Sequence, residues 1–306
     1  MKEKQAEILL AAVITARATS FIFAKWCLAD LDTFNLLAVR FLLAFLLLGV
    51  LFFRKLRGIS LRTVGRGALM GVLFYLVMGC EVSALHTADT SVVSALENTA
   101  IILVPLFEAA LHRRRPDRTA LLCAASALAG VLLINFSGGT LHFGKGECLA
   151  MLSAVIYAAA IITTDRCSHR ETNTVALGVI QIGMLGVLAL VTSLLTEQTH
   201  LPGSGSGSVW GMIALLAMVC TGFGFTLQPV AQRYTSAETA GLFCALNPLV
   251  AALLGAAVLH EQLGVTGFAG IALILLSILV PHLPALANAA KKGYTESSNP
   301  ERKSVL

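Results

Sequence analysis

Six ionisable side chains lie inside apolar stretches of the sequence, and four of them are candidates for chemistry: Arg17, Arg40, Glu81 and Glu97. The other two, Lys25 and Glu108, lie near helix ends and are expected to pair with other groups or to reach the headgroups. A charge at the centre of a bilayer costs about 3 kcal/mol on insertion scales, so such residues are candidates for function. A guanidinium can bind a carboxylate through two parallel hydrogen bonds, and a carboxylate can accept an ammonium group or a proton. We therefore predict that Arg17 or Arg40 binds a substrate carboxylate and that Glu97 binds an ammonium group or a coupling proton. Glu81 is a second candidate for proton coupling, and mutual pairing that only holds helices together is the alternative.

Uncharged polar side chains in the same apolar stretches form a second group of candidates for substrate binding. Their amide and hydroxyl groups can hydrogen-bond a solute, but the same groups also join helices, at about 0.6 kcal/mol each. The group comprises Tyr75, Asn98, Tyr157, Gln181, Gln228 and Asn247.

Pro105, Pro229 and Pro248 are candidates for hinges within these stretches. Proline has no N–H group, so it leaves the carbonyl four residues earlier without its helical donor. For Pro248 this predicts that the carbonyl of Cys244 is free to bind a ligand or to let the backbone bend. Simple packing kinks are the alternative interpretation.

The elements that must position these residues are ten apolar segments of about 20 residues, the length that a helix needs to cross a bilayer core of about 30 Å. The chain of 306 residues is 57% hydrophobic and 13% charged, too apolar for a soluble domain. We therefore predict an all-α membrane protein. The predicted helices span 6–28, 33–53, 65–84, 90–111, 119–136, 147–165, 174–195, 209–230, 238–259 and 264–283.

The distribution of Lys and Arg predicts the orientation. Eighteen of the 22 basic residues fall in the two terminal segments and in alternate loops, whereas the other loops hold only Lys145. Because basic loops stay on the cytoplasmic side, both termini are expected in the cytoplasm of a cell whose cytoplasmic (inner) membrane the chain crosses several times. The apolar start of the chain is interpreted as a retained helix, since Arg17 and Lys25 interrupt it and no cleavage site follows. Residues 201–208 are expected to form an external linker.

The sequence also contains a weak internal repeat. Residues 86–114 align with 233–261 at an offset of 147–148, which pairs Thr87 with Thr235 and His112 with His260. With five helices in each half, the second copy must enter the membrane from the opposite side. This predicts an inverted repeat, an arrangement of many alternating-access carriers that place the binding site where the halves meet.

Five segments together carry a family resemblance: SFIFAK (20–25), AVRFLLAFLLL (38–48), the Gln181 position, LQPVAQRYTSAETA (227–240) and ALNPLVAALLGAAVLHEQL (245–263). In these segments the chain resembles the EamA-type transporters of the drug/metabolite transporter superfamily. The resemblance covers nearly the whole chain and implies ten transmembrane helices as two inverted five-helix repeats, here 1–140 and 141–290, followed by a disordered cytoplasmic tail, 291–306. Two positions depart from the family pattern: its usual Trp-Gly in helix 1 is Arg17-Ala18 here, and its usual Glu before the helix-9 proline is Asn247.

The predicted function is that of a secondary transporter, and specifically an exporter of a small polar metabolite. Charges of both signs in the outer half of the membrane favour an amino acid or amino acid-like solute. The alternatives are a carrier of drugs or nucleotide-linked sugars and a non-transporting membrane receptor or assembly subunit. An enzyme is not expected, because GxSxG and HExxH are missing from the sequence, and without a GxxxxGK[ST] motif ATP is not expected to drive transport.

The expected partners are the small-molecule substrate and membrane lipid, and no nucleic acid. Neither a metal nor a cofactor is expected, because the seven cysteines occur singly and no His stands at metal-ligand spacing from them. A monomer is expected, since two repeats in one chain supply both walls of a pathway.

Overall fold

The computed structural model describes residues 1–88, 90–113, 115–116, 118–135, 144–201, 207–250, 253 and 265–279, and all regular structure among them is helical. The helices of the first half are α1 Glu3–Ala18, α2 Ser20–Cys27, α3 Thr33–Leu51, α4 Phe53–Leu56, α5 Leu61–Ala84, α6 Thr90–Glu97, α7 Ala100–Leu111 and α8 Arg118–Asn135. Those of the second half are α9 Lys145–His169, α10 Thr174–Thr196, α11 Gly207–Leu215, a π-helical segment Leu216–Phe223, α12 Gly224–Gln232, α13 Ala237–Phe243 and α14 Val265–Leu279. Residues 246–250 are also helical.

Six helical stretches are long and apolar enough to cross a bilayer: Glu3–Cys27, Thr33–Leu51, Leu61–Ala84, Lys145–His169, Thr174–Thr196 and Gly207–Gln232. Shorter apolar helices span Ala100–Leu111, Arg118–Leu133 and Phe268–Ser277. The chain is therefore a multi-pass membrane protein, as predicted, while the count of ten helices stays a prediction. Most of the predicted linker, the second part of the predicted ninth helix and the tail 291–306 lie outside the described residues.

Several helices begin at a side chain that caps them. Ser60 accepts a hydrogen bond from the backbone N–H of Thr63 at the start of α5, and Ser236 caps α13 in the same way. Asn173 accepts the N–H of Ala176 at the start of α10. Each cap satisfies one of the N–H groups that a helix leaves without an internal partner.

Four interruptions lie well inside the predicted helical segments. Turns separate α1 from α2 at Thr19, α6 from α7 at Asn98 and Thr99, and α13 from 246–250 at Cys244 and the residue after it. The side chains of Thr19, Thr99 and Cys244 donate to carbonyls three or four residues earlier, at 2.8, 2.7 and 3.3 Å. Such bonds compete with the regular helical ladder. The fourth interruption is the π-helical segment before α12.

The two halves pack closely against each other, with α10 of the second half lying against α3 and α5 of the first and α5 also lying against α9. Small residues permit this approach. A Cβ atom on Gly67 would lie 2.8 Å from Cβ of Ile180, and one on Gly71 would lie 2.6 Å from Cβ of Met184. Gly67 and Gly71 therefore let α5 approach α10 closely.

Polar contacts tie the halves together at both ends of this bundle. At the end where α3 begins, Glu197 accepts hydrogen bonds from the backbone N–H groups of Phe34 and Asn35 at 3.0 and 2.8 Å. At the other end, Arg66 forms an ion pair with Glu171. These contacts hold together the ends of the helices that surround the buried middle of the bundle.

Aromatic side chains fill that middle. The ring of Phe225 on α12 meets Phe41 and Phe74 edge-on, with centroids 5.3 and 5.2 Å apart, and Phe74 meets Tyr157 at 6.1 Å. All four side chains are buried. They join α3, α5, α9 and α12, so both halves contribute to the surroundings of the candidate site.

Candidate functional site

A narrow cavity lies where the interrupted helices meet. In this conformation it has room for about one water molecule. It is lined by Arg17, Ser20, Phe21, Arg40, Met78, Glu81, Glu97, Phe225 and Asn247. The structure thus places five of the candidates predicted from the sequence around one cavity: Arg17, Arg40, Glu81, Glu97 and Asn247.

Arg17 is held by side chains of the second half. Its Nη1 atom donates to Oε1 of Gln228 at 2.7 Å and to the hydroxyl of Tyr157 at 3.3 Å. Its Cζ atom lies 4.3 Å from the ring centroid of Phe225, and 5.4 and 5.5 Å from those of Phe74 and Tyr157. Such rings attract a cation. Gln228 and Tyr157, two of the predicted substrate ligands, hold Arg17 in this conformation.

Gly224 gives the Arg17 side chain its space. A Cβ atom at this position would lie 2.6 Å from Cγ and 3.2 Å from Cδ of Arg17. Real Cβ atoms do not come as close as 2.6 Å, so only glycine fits this arrangement.

Arg40 has a different environment. Its Nε atom donates to the hydroxyl of Thr221 at 2.6 Å, and its Cζ atom lies 5.0 Å from the ring centroid of Phe41. Its Nη2 atom is buried and has no hydrogen-bond partner among the described residues. A buried donor without a partner is rare in native proteins and calls for an explanation. Arg40 therefore has a donor that forms no hydrogen bond with a described residue, whereas Arg17 is hydrogen-bonded to Gln228 and Tyr157.

Glu81 and Glu97 form a carboxyl pair. Both side chains are buried and line the same cavity, so the two carboxyl groups would repel each other if both were ionised. Arg17 interacts electrostatically with both, and Arg40 with Glu81. None of the ion pairs found in the described part of the chain joins either arginine to either glutamate. Charges of opposite sign therefore line the same cavity without direct contact between them.

Two of the acceptors beside the cavity are also unused. Within the described residues, Oε2 of Glu97 and Oδ1 of Asn247 are buried and accept no hydrogen bond from a neighbouring group. Oδ1 of Asn98, the residue after Glu97, is unpartnered too, while Nδ2 of Asn98 donates to the carbonyl of Ser94 at 2.6 Å. The cavity thus combines an unused donor on Arg40 with unused acceptors on Glu97 and Asn247.

The other polar candidates lie apart from these groups. The hydroxyl of Tyr75 is 2.6 Å from that of Thr192, and Tyr75 is not among the cavity-lining residues. Gln181 is buried on α10 with Oε1 unpartnered in the described structure, and it does not line the cavity either. The structure does not bring these two side chains to the charged groups.

Of the three prolines, Pro105 lies inside α7, Pro229 inside α12 and Pro248 in the helical residues 246–250. The carbonyl of Cys244, for which Pro248 offers no helical donor, accepts the N–H of Asn247 at 2.9 Å, and the chain turns at Cys244 and the residue after it. At this turn the N–H group of Asn247, three residues after Cys244, replaces the N–H group that Pro248 lacks.

Sequence reasoning missed Thr221, Gly224, Phe74 and Phe225, which hold or accommodate the two arginines. Nothing in their local sequence distinguishes them from packing residues of an apolar helix. The described residues contain no group of three or more His, Cys, Asp or Glu side chains placed to hold a metal ion.

The known proteins and the family that this sequence matches are all described as transporters. The model of the EamA-like transporter family matches residues 4–136 and again residues 144–281. An uncharacterized transporter of Archaeoglobus fulgidus is 26% identical over 268 residues, which cover 83% of this chain and 89% of the relative. The biotin transporter of Escherichia coli is 25% identical over 286 residues, covering 90% and 91%. The uncharacterized inner membrane transporter YedA of Escherichia coli is 28% identical over 273 residues, covering 84% and 87%.

The fold has been seen before. A solved crystal structure superposes with a TM-score of 0.76 at 20% sequence identity, covering 94% of this chain and 99% of that one. At this identity the likeness concerns the fold alone.

Proposed function

The chain belongs to the EamA-like transporter family, which makes it a transporter and not an enzyme, and we propose that it carries an amino acid or amino acid-like solute across the cytoplasmic membrane. The membership confirms the resemblance noted in the sequence. The proposed mechanism is secondary transport by alternating access between two inverted five-helix repeats, 1–140 and 141–290, with export as the direction.

One observation carries the choice of substrate: a buried guanidinium with an unused donor and a buried carboxyl with an unused acceptor line the same cavity. Nη2 of Arg40 offers its hydrogen to a substrate carboxylate. Oε2 of Glu97 and Oδ1 of Asn247 offer lone pairs to a substrate ammonium group. Charge-assisted hydrogen bonds of this kind are shorter and stronger than neutral ones. A zwitterion satisfies donor and acceptors together.

In this conformation the cavity is narrow, with room for about one water molecule. The choice of solute class therefore rests on the charged and polar groups that line the cavity, and a bound solute of any class requires a more open conformation.

The proposed architecture has separate support. One family model matches each half of the chain, which favours a duplicated unit. The interruptions of the helices around the cavity resemble the broken helices that carriers with inverted repeats use at their binding sites. The distribution of Lys and Arg supports a cytoplasmic location of both termini, and two repeats in one chain support a monomer.

The carboxyl pair supports coupling of transport to protons. Two carboxyl groups that share one buried cavity do not both ionise readily, so one of Glu81 and Glu97 is expected to carry a proton. A substrate ammonium group that approaches Glu97 favours loss of this proton, because two positive charges would compete for one carboxyl pair. One proton then leaves the site for each cationic group that enters.

Biotin is a second candidate substrate, on the strength of the relative that bears the name biotin transporter. Its carboxylate would use Arg40, and its ureido N–H groups would use the acceptors of Glu97 and Asn247. Biotin has no ammonium group, so it would not compete with the proton for the carboxyl pair. The two candidates therefore differ in their expected response to a proton gradient.

Uptake into proteoliposomes tests the proposal. Labelled amino acids, biotin, sugars and cationic drugs are offered with and without an imposed proton gradient. Saturable uptake of an amino acid, inhibited by unlabelled amino acids but by neither their methyl esters nor their N-acetyl derivatives, is the expected result. Uptake of biotin alone favours the second candidate. No uptake of any solute by folded protein would support a receptor or an assembly subunit instead.

A further inference from the structure

Thr221 lies in the π-helical segment Leu216–Phe223 and is fully buried. Its hydroxyl accepts the Nε–H of Arg40 at 2.6 Å, across 181 residues of sequence. π-Helical turns within α-helices are frequent at functional sites. The contact joins α3 of the first half to the irregular part of a second-half helix.

The bond at Nε determines what the rest of the Arg40 guanidinium can do. The guanidinium is planar, so a hydrogen bond at Nε together with the ring of Phe41, 5.0 Å from Cζ, restricts the rotation of the whole group. Nη2 is then held without a protein partner while Arg40 lines the cavity. A substrate carboxylate that enters the cavity therefore meets an N–H group of Arg40 whose direction is fixed before binding.

We propose that Thr221 is a positioning residue that sets the specificity of the site for a carboxylate, by holding the Arg40 guanidinium with Nη2 free to bind it. This inference rests on the proposed function, because it requires a substrate carboxylate. Thr221 itself does not touch the substrate. Without its hydroxyl, Nε of Arg40 loses its partner and the guanidinium rotates toward other acceptors.

The chain offers a matched control. Thr226 lies on the same interrupted helix and is equally buried, at 1% exposure against 0% for Thr221, but its hydroxyl has no hydrogen-bond partner among the described residues. Replacing either threonine by valine removes one buried hydroxyl and keeps the branched shape. Only the change at Thr221 removes a bond to Arg40.

The experiment measures the KM and the maximal rate of carboxylate solute uptake for four proteins: wild type, Thr221→Val, Thr221→Ser and Thr226→Val. We expect Thr221→Val to raise KM about tenfold with a maximal rate within about twofold, since the lost bond is to a charged group. Thr221→Ser keeps the hydroxyl and restores the wild-type KM. Thr226→Val leaves KM unchanged. The carboxamide analogue of the solute, compared with the carboxylate itself, is expected to become a stronger inhibitor of uptake in Thr221→Val but in none of the other three proteins.

The outcomes separate this inference from the proposed function. A wild-type protein that transports no carboxylate solute overturns both. A wild type that does, with KM and carboxamide discrimination unchanged in Thr221→Val, overturns the role of Thr221 only. A loss of maximal rate and thermal stability in both Thr221→Val and Thr221→Ser shows a purely structural residue and also overturns it. If Thr221→Val does not fold, Thr221→Ala is measured with the same expected rise in KM.

Discussion

A Cβ atom added to Gly224 would lie 2.6 Å from Cγ of Arg17, although the two residues belong to different halves of the chain. Cγ is near the fixed end of the arginine side chain, and the guanidinium beyond it is bound to Gln228 and stacked on Phe225. The side chain therefore cannot move aside without breaking these contacts. A side chain at position 224 would therefore displace Arg17 from its position in the site.

Gly224→Ala is expected to destabilise the protein and to lower transport. Overpacking of a buried site costs about 1–3 kcal/mol, and the displaced Arg17 loses its position beside the carboxyl pair. Thermal unfolding in detergent and proteoliposome uptake measure the two effects. Gly211→Ala is the control, because nothing lies within 4 Å of a Cβ atom there. Equal melting temperatures for the two variants would contradict the interpretation of Gly224.

The two arginines are expected to differ when each is replaced by glutamine. Arg40→Gln removes the unused donor and should raise KM for a carboxylate solute at least about tenfold while the protein still folds. Arg17→Gln removes a bound cation opposite two buried glutamates and should cost several kcal/mol of stability, about 3–5 for a buried charge left alone. Uptake and thermal unfolding of both variants check this. An Arg17→Gln protein that is as stable and active as wild type would refute the assigned difference.

Glu97→Gln is expected to abolish the effect of a proton gradient on uptake. The amide has nearly the shape of the carboxyl group but takes up no proton in the physiological range, and it removes the repulsion between two carboxylates that favours a proton on the pair. The measurement compares uptake with and without an imposed gradient. Glu3→Gln, at the exposed start of α1, should keep the wild-type response. A gradient response that survives in Glu97→Gln would exclude this carboxyl from coupling.

His200, in the loop after α10, should make stability depend on pH. Hydrogen bonds from its ring to the backbone carbonyls of Gln198, at 2.7 Å, and Asp30, at 3.2 Å, raise the pKa of its imidazole above the ordinary 6.5, and Asp32 adds a small electrostatic effect in the same direction. Because the folded-state pKa is raised, the stabilisation is fully present below pH 6.5 and is lost as the pH rises through the folded-state value.

The check is thermal unfolding of wild type and His200→Gln at pH 5.5 and pH 8.5. The variant should melt below wild type at the lower pH and close to it at the higher pH. Since His200 is exposed, the difference is expected to be small. A variant whose deficit is the same at both pH values would show that protonation of His200 does not contribute.

Gly71→Ala is expected to weaken the packing between the halves. The new methyl group would lie 2.6 Å from Cβ of Met184 and 2.8 Å from the carbonyl oxygen of Gln181, and a helix backbone cannot yield locally as a side-chain end can. We expect a loss of about 1–3 kcal/mol, measured by thermal or denaturant unfolding. Gly65→Ala on the same helix meets nothing within 4 Å and should be neutral or stabilising by about 0.5–1 kcal/mol. A Gly71→Ala protein as stable as Gly65→Ala would argue against close contact.

Much of the fold could be predicted from the sequence, because hydropathy and segment length are local properties. Each apolar segment of about 20 residues indicates a helix whatever its neighbours are, and the energetic cost of burying Arg17, Arg40, Glu81 and Glu97 marks them as a group. The family resemblance follows from the same local patterns. The sequence by itself therefore determined a helical, multi-pass membrane transporter and the chemical types of its charged groups.

Only the tertiary structure decided which partner each of these groups has. A threonine in an apolar helix has the same local signal whether its hydroxyl bonds to its own backbone, as Thr19 does, or to a guanidinium 181 residues away, as Thr221 does. The interruptions of the helices, the space beside Gly224 and the difference between a held Arg17 and an unsatisfied Arg40 depend on contacts between segments distant in sequence. Such contacts form when both halves pack, and the sequence pattern of a single helix does not contain them.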